Sequence, residues 1–131
     1  MTTDSTTQRP EPIRHVLEHC EILDHRRWME VVLSPGHDVT DADLLVFRAG
    51  LHEVADWQSK PMLIHMRSLL GVSLEGRARI SRYRHPTPIA VMGCSPLDEI
   101  IASFTLRSPS RTEYFSDRLE ALRWLGIDPP H

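Results

Sequence analysis

Short apolar, β-prone runs alternate with segments of helical periodicity along this chain, and this alternation constrains the fold more than any other feature. Two initial runs, CEIL (20–23) and WMEVVL (28–33), are separated by the charged DHRR, which predicts a hairpin. Further strands then alternate with helices. The predicted order is ββαβαβαβα, which favours an α/β fold with a mixed, mostly parallel sheet of about five strands, helices packed on it and the first strand antiparallel.

Each predicted helix follows a capping residue. The predicted N-caps are Thr40 or Asp41, Ser73, Ser95, and Ser116 or Asp117. In the first helix, apolar residues recur at three- and four-residue spacing as far as about Trp57. Gly50 lies inside this pattern, so the helix either bends there or has a neighbour that packs closely. Gly126 is expected to end the last helix.

The length of 131 residues suits about one domain with a single core. Residues 1–13 are polar and rich in threonine, which predicts a disordered leader, and residues 127–131 predict an unpacked tail. We therefore expect one domain over residues 14–126. No run approaches the roughly 18 apolar residues of a membrane span, and the first residues lack a signal-peptide core, so we expect a cytoplasmic protein.

Composition and motifs argue against several classes of function. The formal net charge of −3 provides no global basic field for nucleic-acid binding. Neither GxGxxG nor GxxxxGK[ST] occurs, so no nucleotide cofactor is predicted. Cys20 and Cys94 are too few for a disulfide framework, and their apolar surroundings predict buried, reduced thiols.

Three local patterns resemble chemical sites without completing one. Ser95 lies at a strand-to-helix turn, as a hydrolase nucleophile does, but Leu97 replaces the second glycine of the Gly-x-Ser-x-Gly elbow. His15 and His19 are four residues apart, yet the strand that follows would break a shared helical face. His65, within LIHM, is expected to be a hydrogen-bonded core histidine with the most perturbed pKa. We predict no catalytic residue, no metal and no cofactor.

Three segments, taken together, carry a resemblance to a known family. They are KPMLIHMRSLLGVSLEG (60–76), PIAVMGCSPLDEIIASFTL (88–106) and TEYFSDRLEALRWL (112–125). The chain resembles the STAS domain superfamily, named for sulfate transporters and anti-sigma-factor antagonists, and most of all its stand-alone bacterial SpoIIAA-like members. The likeness spans about residues 18–125 and implies the fold of that superfamily.

The loop after the central strand departs from the family pattern. In anti-sigma-factor antagonists this loop reads roughly Asp-Ser-Ser-Gly, and its second serine is phosphorylated. Aligned through Gly76, the motif falls on Ser73, Leu74 and Glu75, so only the glycine is retained. Glu75 carries one fixed negative charge where the phosphoserine would carry about −1.5 to −2. The phosphorylation cycle is therefore not expected here.

The resemblance implies a non-enzymatic regulatory or scaffold domain that contacts a protein partner, an anti-sigma-like or other regulator, and forms a homodimer. The expected interaction loop comprises Ser68, Leu70, Ser73, Glu75 and Gly76. Partner or anion contacts are expected from Arg77, Arg79 and Arg82. The alternative function is a carrier or sensor of a small apolar or amphipathic ligand, because some relatives are named after lipid carriers and the apolar helices could enclose a pocket.

The turn from Gly71 to Gly76 permits three interpretations, which are plain helix capping, a docking loop for a protein partner, or a site for a small anion. The arginines that follow divide between two helix faces, on either side of Ile80 and Tyr83. They are therefore not expected to form a single clamp.

Overall fold

The computed structural model describes residues 11–128. The strands are β1 Ile13–Val16, β2 Cys20–Asp24, β3 Met29–Leu33, β4 Asp38–Val39, β5 Met62–His65, β6 Gly71–Val72, β7 Ile89–Met92 and β8 Thr112–Phe115. The helices are α1 Asp41–Leu51, α2 Leu74–Arg82, α3 Pro96–Leu106 and α4 Arg118–Trp124, with a 3-10 turn at Trp57–Ser59.

Six strands form one mixed sheet in the order β1-β2-β3-β5-β7-β8. The pairs β1–β2 and β2–β3 are antiparallel, and the three pairs from β3 to β8 are parallel. The predicted α/β class, hairpin and alternation are confirmed. The prediction missed β1, which is a largely exposed edge strand, and the small parallel pair β4–β6, whose two-residue strands are too short to show a period.

The two faces of the main sheet pack against different helices. Val31, Met62 and Val91 face α1, α2 and α3 and belong to the larger core. On the opposite face, Leu63 packs with Ala90 and with residues of α4 in a smaller core. The sheet is therefore the middle layer of the domain.

An ion pair joins α4 to the sheet. Glu30 of β3 is buried, and the two terminal guanidinium nitrogens of Arg118 donate to its carboxylate, Nη2 at 3.0 Å. His25 Nε2 lies 3.2 Å from the same carboxylate. Burial alone would raise the pKa of Glu30, but the hydrogen bonds from His25 and Arg118 outweigh it and lower the pKa to about 2.

The predicted caps are confirmed by hydrogen bonds from backbone N–H groups to side-chain oxygens. The caps are Thr40 for α1, Ser73 for α2, Ser95 for α3 and Asp117 for α4. Gly126 follows α4 with φ of 81°, as expected for a helix stop. Gly50 has a close neighbour, because a Cβ built on it would lie 2.8 Å from Leu17 Cδ1.

The predicted extension of the first helix to about Trp57 is wrong. Helix α1 ends at Leu51, and Asp56 adopts a left-handed conformation with φ of 56°. Val54 is buried all the same, because the turn after the helix returns it to the core. The apolar spacing thus identified Leu44, Phe47, Leu51 and Val54 as core residues, whereas Ala55 is exposed and the helix itself is shorter.

The expected domain limits meet the structure only in part. Strand β1 begins at Ile13, one residue before the expected start at residue 14, and Ile127 of the expected tail packs against the smaller core. Residues 1–10 of the leader and 129–131 of the tail lie outside the described residues. Within residues 11–128, no helix is both long and apolar enough to cross a membrane.

Candidate functional site

A cavity of about 560 Å³ lies between the sheet and helices α1 to α3. Ile64 lines it and is partly exposed, although β5 is flanked by β3 and β7 at the centre of the sheet. Phe47 of α1 and Ile80 of α2 line it from the helical layer and are also partly exposed. The helices therefore do not close fully over the middle of the sheet, and the space that remains has mostly apolar walls.

Arginine side chains surround the cavity beside its apolar walls. Arg48 at the end of α1, Arg82 at the end of α2, and Arg84 just beyond are exposed and line it. None of the three forms an ion pair with a carboxylate of the described segment, residues 11–128. The cavity thus combines apolar walls with three arginines that form no such ion pair, and its lining also includes the carboxylates of Glu18 and Asp43.

His85 is the most perturbed histidine of the described part of the chain, so the prediction for His65 is wrong. Burial lowers the pKa of His85 to about 4, and Tyr83 Oη lies 2.7 Å from its Nδ1. His65 is only partly buried, and the pKa of its ring is lowered less strongly, first by burial. The local sequence LIHM suggested deep burial, whereas His85 lies against Trp57 and Ser110, which come from distant parts of the chain.

The expected interaction loop is exposed along one edge. The side chain of Leu70 is 60% exposed and that of Leu74 is 74% exposed, and Ser68 and Glu75 are exposed as well. Gly76 is buried, and a Cβ there would lie 3.3 Å from the carbonyl oxygen of Val39. The loop therefore presents two leucines to solvent beside a tightly packed glycine.

Ser73 acts as a helix cap in this loop. Its Oγ accepts a hydrogen bond from the N–H of Gly76 at 3.0 Å, and its own N–H donates to the carbonyl of Val39 at 2.9 Å. Capping, the plainest of the three interpretations of this turn, is thereby confirmed. The docking and anion-binding roles of the loop stay predictions.

The predicted contact arginines occupy different environments. Arg79 pairs with Asp41 at the start of α1, and Arg82 lies near enough for its charge to help lower the pKa of that carboxyl. Arg77 Nε donates to the carbonyl of Val72 at 3.1 Å, and its guanidinium stacks 4.8 Å from the Phe104 ring. The arginines of α2 are thus divided between two surroundings, as predicted, with Arg77 on one side and Arg79 and Arg82 on the other. Arg84, which the prediction grouped with Arg77, lies beyond the end of α2.

One buried carboxylate that the sequence did not single out joins two loops. Asp98 is 0% exposed and accepts backbone N–H hydrogen bonds from Ser68, Leu69 and Cys94 at 3.0–3.1 Å. It is the third residue of α3, and its partners after β5 are about thirty residues away in sequence, so no local pattern reveals this role. Gly93 makes room for it, because a Cβ on Gly93 would lie 2.7 Å from Asp98 Cβ.

Cys94 is exposed, so the prediction of burial is wrong for this thiol and holds for Cys20. Burial, together with the charges of Asp43 and Glu21, raises the pKa of Cys20 to about 11. Ser95 serves α3 as its cap. His15 lies in β1 and His19 in the following turn, beside Glu18 and Asp43.

Solved structures include a clear match to this architecture. The crystal structure of an uncharacterized protein of the DUF3478 family with a SpoIIAA-like fold, from Shewanella loihica PV-4, is 17% identical with a TM-score of 0.53. The match covers 85% of this chain and 98% of that chain. The fold is SpoIIAA-like. The predicted resemblance is confirmed at the level of the fold.

No family model matches the sequence, and no curated protein matches it. At 17% identity, the likeness to a SpoIIAA-like structure establishes architecture alone. The function of a shared fold depends on the particular site that each chain builds on it. The cavity and the exposed loop must therefore carry the functional argument.

Proposed function

We propose that this SpoIIAA-like domain is a non-enzymatic binding protein, a carrier or sensor of a small amphipathic ligand held between the sheet and helices α1 to α3. The observation that carries the proposal is the cavity of about 560 Å³, which reaches Ile64 at the centre of the sheet. Small-molecule sites commonly measure about 300–1,000 Å³ and have mostly apolar walls with few polar groups.

The arginines near the ends of α1 and α2 favour an acidic head group on that ligand at this part of the cavity. Arg48, Arg82 and Arg84 are exposed, and a guanidinium can bind a carboxylate or phosphate through two parallel hydrogen bonds. An apolar tail would lie against Phe47 and Ile64, where each buried methylene contributes about 0.8 kcal/mol. A medium-chain fatty acid meets both requirements and is available as a probe.

Laurate is expected to bind this protein, and a larger side chain in the cavity is expected to prevent it. Trp57 lines the cavity, so its fluorescence should change during a laurate titration. Ile64→Phe should weaken binding at least tenfold, because the added ring occupies the tail site, while the melting temperature stays equal or rises as in other cavity-filling variants.

Two controls complete this experiment. Leu106→Phe adds the same ring at an exposed position of α3 outside the cavity and should leave laurate affinity unchanged. Trp57→Phe should remove the signal without preventing binding, as measured by calorimetry. Native mass spectrometry of the purified chain reports any retained ligand and the oligomeric state, for which we predict a homodimer. Equal laurate affinity in the wild type and Ile64→Phe would contradict the proposal.

A second candidate function is docking of a regulatory protein at the loop from Ser68 to Glu75. The observation that favours it is the exposure of Leu70 and Leu74 on a segment whose backbone is held in place. Asp98 binds the N–H of Ser68, and the N–H of Leu70 donates to the carbonyl of His37. Rigid display of apolar side chains reduces the entropy lost on association.

The triple variant Leu70→Ala, Leu74→Ala, Glu75→Ala is expected to lose such a partner. Because a few central side chains contribute most of the binding energy of an interface, we expect at least a tenfold loss of affinity. Leu106→Ala, which removes an exposed leucine of α3, is the matched control. A protein retained equally by the wild type, the control and the triple variant in quantitative affinity purification would exclude this loop as its docking site.

A further inference from the structure

The turn between β1 and β2 and the first residues of α1 bring one imidazole and two carboxylates together. Ligand atoms of Glu18, His19 and Asp43 all lie within 4.8 Å of one another. His19 Nε2 is 3.2 Å from Glu18 Oε1 and 3.8 Å from Asp43 Oδ1. Atoms that share a tetrahedral ion with bonds of about 2.0–2.2 Å lie roughly 3.4 Å apart. The two separations from His19 Nε2 are therefore close to those of ligands on one metal ion.

The capping of α1 fixes one of these carboxylates. Asp43 Oδ2 accepts hydrogen bonds from the N–H and the hydroxyl of Thr40, each at 3.0 Å. Its other oxygen, Oδ1, is left facing His19. The helix start thus orients a potential ligand atom before any ion binds, which reduces the cost of assembling the site.

A second imidazole adjoins the group. The rings of His19 and His37 stack with centroids 4.8 Å apart. His37 Nδ1 is 2.7 Å from the carbonyl oxygen of Ser34, which can only accept, so Nδ1 carries the hydrogen and the neutral ring has its lone pair on Nε2. Metal-binding histidines almost always donate the other ring N–H to a carboxylate, a backbone carbonyl or water.

The two carboxylates also lack a compensating cation. Across residues 11–128, neither Glu18 nor Asp43 forms an ion pair with lysine or arginine, and His19 is the only basic side chain paired with them. A divalent cation would neutralise both charges. Imidazole with carboxylate oxygen suits zinc and other first-row transition metals rather than calcium or magnesium.

We propose that Glu18, His19 and Asp43 bind a divalent transition-metal ion, with Zn²⁺ as the representative, beside the stacked ring of His37. All four residues line the cavity, so the ion would lie in its wall. The metal proposal rests on these residues alone and not on the ligand proposed for the cavity. Sequence spacing does not reveal this site, because Asp43 comes from a separate element more than twenty residues after His19.

Calorimetric titration of ZnCl₂ into the tag-free, chelator-treated full chain is expected to show one ion per chain. His19→Gln and Glu18→Gln should each weaken binding at least tenfold, since even substitutions behind the ligands cost about 10–100-fold. Asp43→Asn keeps an oxygen for the α1 cap while removing the charge, and should weaken binding similarly. Far-UV circular dichroism and the melting temperature of the metal-free variants establish that they fold.

His15→Gln and Glu21→Gln are the matched controls, because they remove the same groups from strands β1 and β2 outside the cluster. They should bind Zn²⁺ as the wild type does. The proposal is overturned if the wild type takes up no stoichiometric Zn²⁺, or if the folded double variant Glu18→Gln, His19→Gln binds it as tightly as the wild type.

Discussion

Asp98→Ala is expected to lower the free energy of unfolding by about 3–5 kcal/mol, because it leaves three backbone N–H groups without their acceptor. Those N–H groups belong to Ser68, Leu69 and Cys94, and the carboxylate that serves them is completely buried. Urea denaturation at neutral pH, followed by circular dichroism, measures the difference.

Asp117→Ala provides the matched comparison. Asp117 caps α4 but is exposed, so its loss should cost only about 1 kcal/mol. If Asp98→Ala cost no more than Asp117→Ala, the three hydrogen bonds would not stabilise the fold as argued.

The pKa of Asp98 adds a dependence on pH. Burial opposes ionisation, but the hydrogen bonds from Cys94, Leu69 and Ser68 outweigh it and hold the pKa below its usual value of 3.8. Because the folded pKa is lowered, this stabilisation is complete above the unfolded pKa. It is lost as the pH falls through the folded value. The variant should therefore show a shallower loss of stability in acid than the wild type.

Asp24→Ala should destabilise the protein by a similar amount, about 3–5 kcal/mol, because it leaves the charge of Lys60 buried and unpaired. Lys60 Nζ lies 2.9 Å from Asp24 Oδ1, and the two residues are only 6% and 3% exposed. Adding Lys60→Met in the Asp24→Ala background removes the unpaired charge and should recover part of the loss. Thermal and urea unfolding of the single and double variants measure both effects.

The exposed pair Arg14–Glu21 supplies a control for Asp24→Ala. These side chains are 3.4 Å apart and well exposed, so Glu21→Ala should cost less than about 1 kcal/mol. An Asp24→Ala variant as stable as Glu21→Ala, or a double variant less stable than Asp24→Ala, would contradict the role assigned to the buried pair.

Local sequence signals predicted the elements of this fold well where several agreed. Strand β7 and helix α3 combine an apolar run with Ser95, Pro96 and a repeating apolar face, and both are found as predicted. Strand β1 lacked such agreement among signals. Three of its four residues are exposed, so its sequence does not have the apolar pattern of a buried strand. Apolar periodicity also could not predict where an element ends when a single turn sets that limit, as at the end of α1 before Asp56.

The candidate site was predicted less completely, because its parts meet only in three dimensions. The loop leucine Leu70 and the capping role of Ser73 could be proposed from adjacent residues. The cavity at Ile64 could not be located, because its volume depends on how far α1 and α2 stand from the sheet. The contact between His19 and Asp43 likewise requires the β1–β2 turn to lie against α1.

The shared carboxylate of Asp98 also affects how this edge of the domain can open. The loop after β5 and the start of the loop after β7 both donate N–H groups to it, so neither can separate from α3 without breaking a bond to the same buried charge. Local unfolding usually proceeds in contiguous cooperative units. Here the unit joins segments far apart in sequence, so we expect the two loops to open together, and a protease or chaperone would then meet both closed or both open.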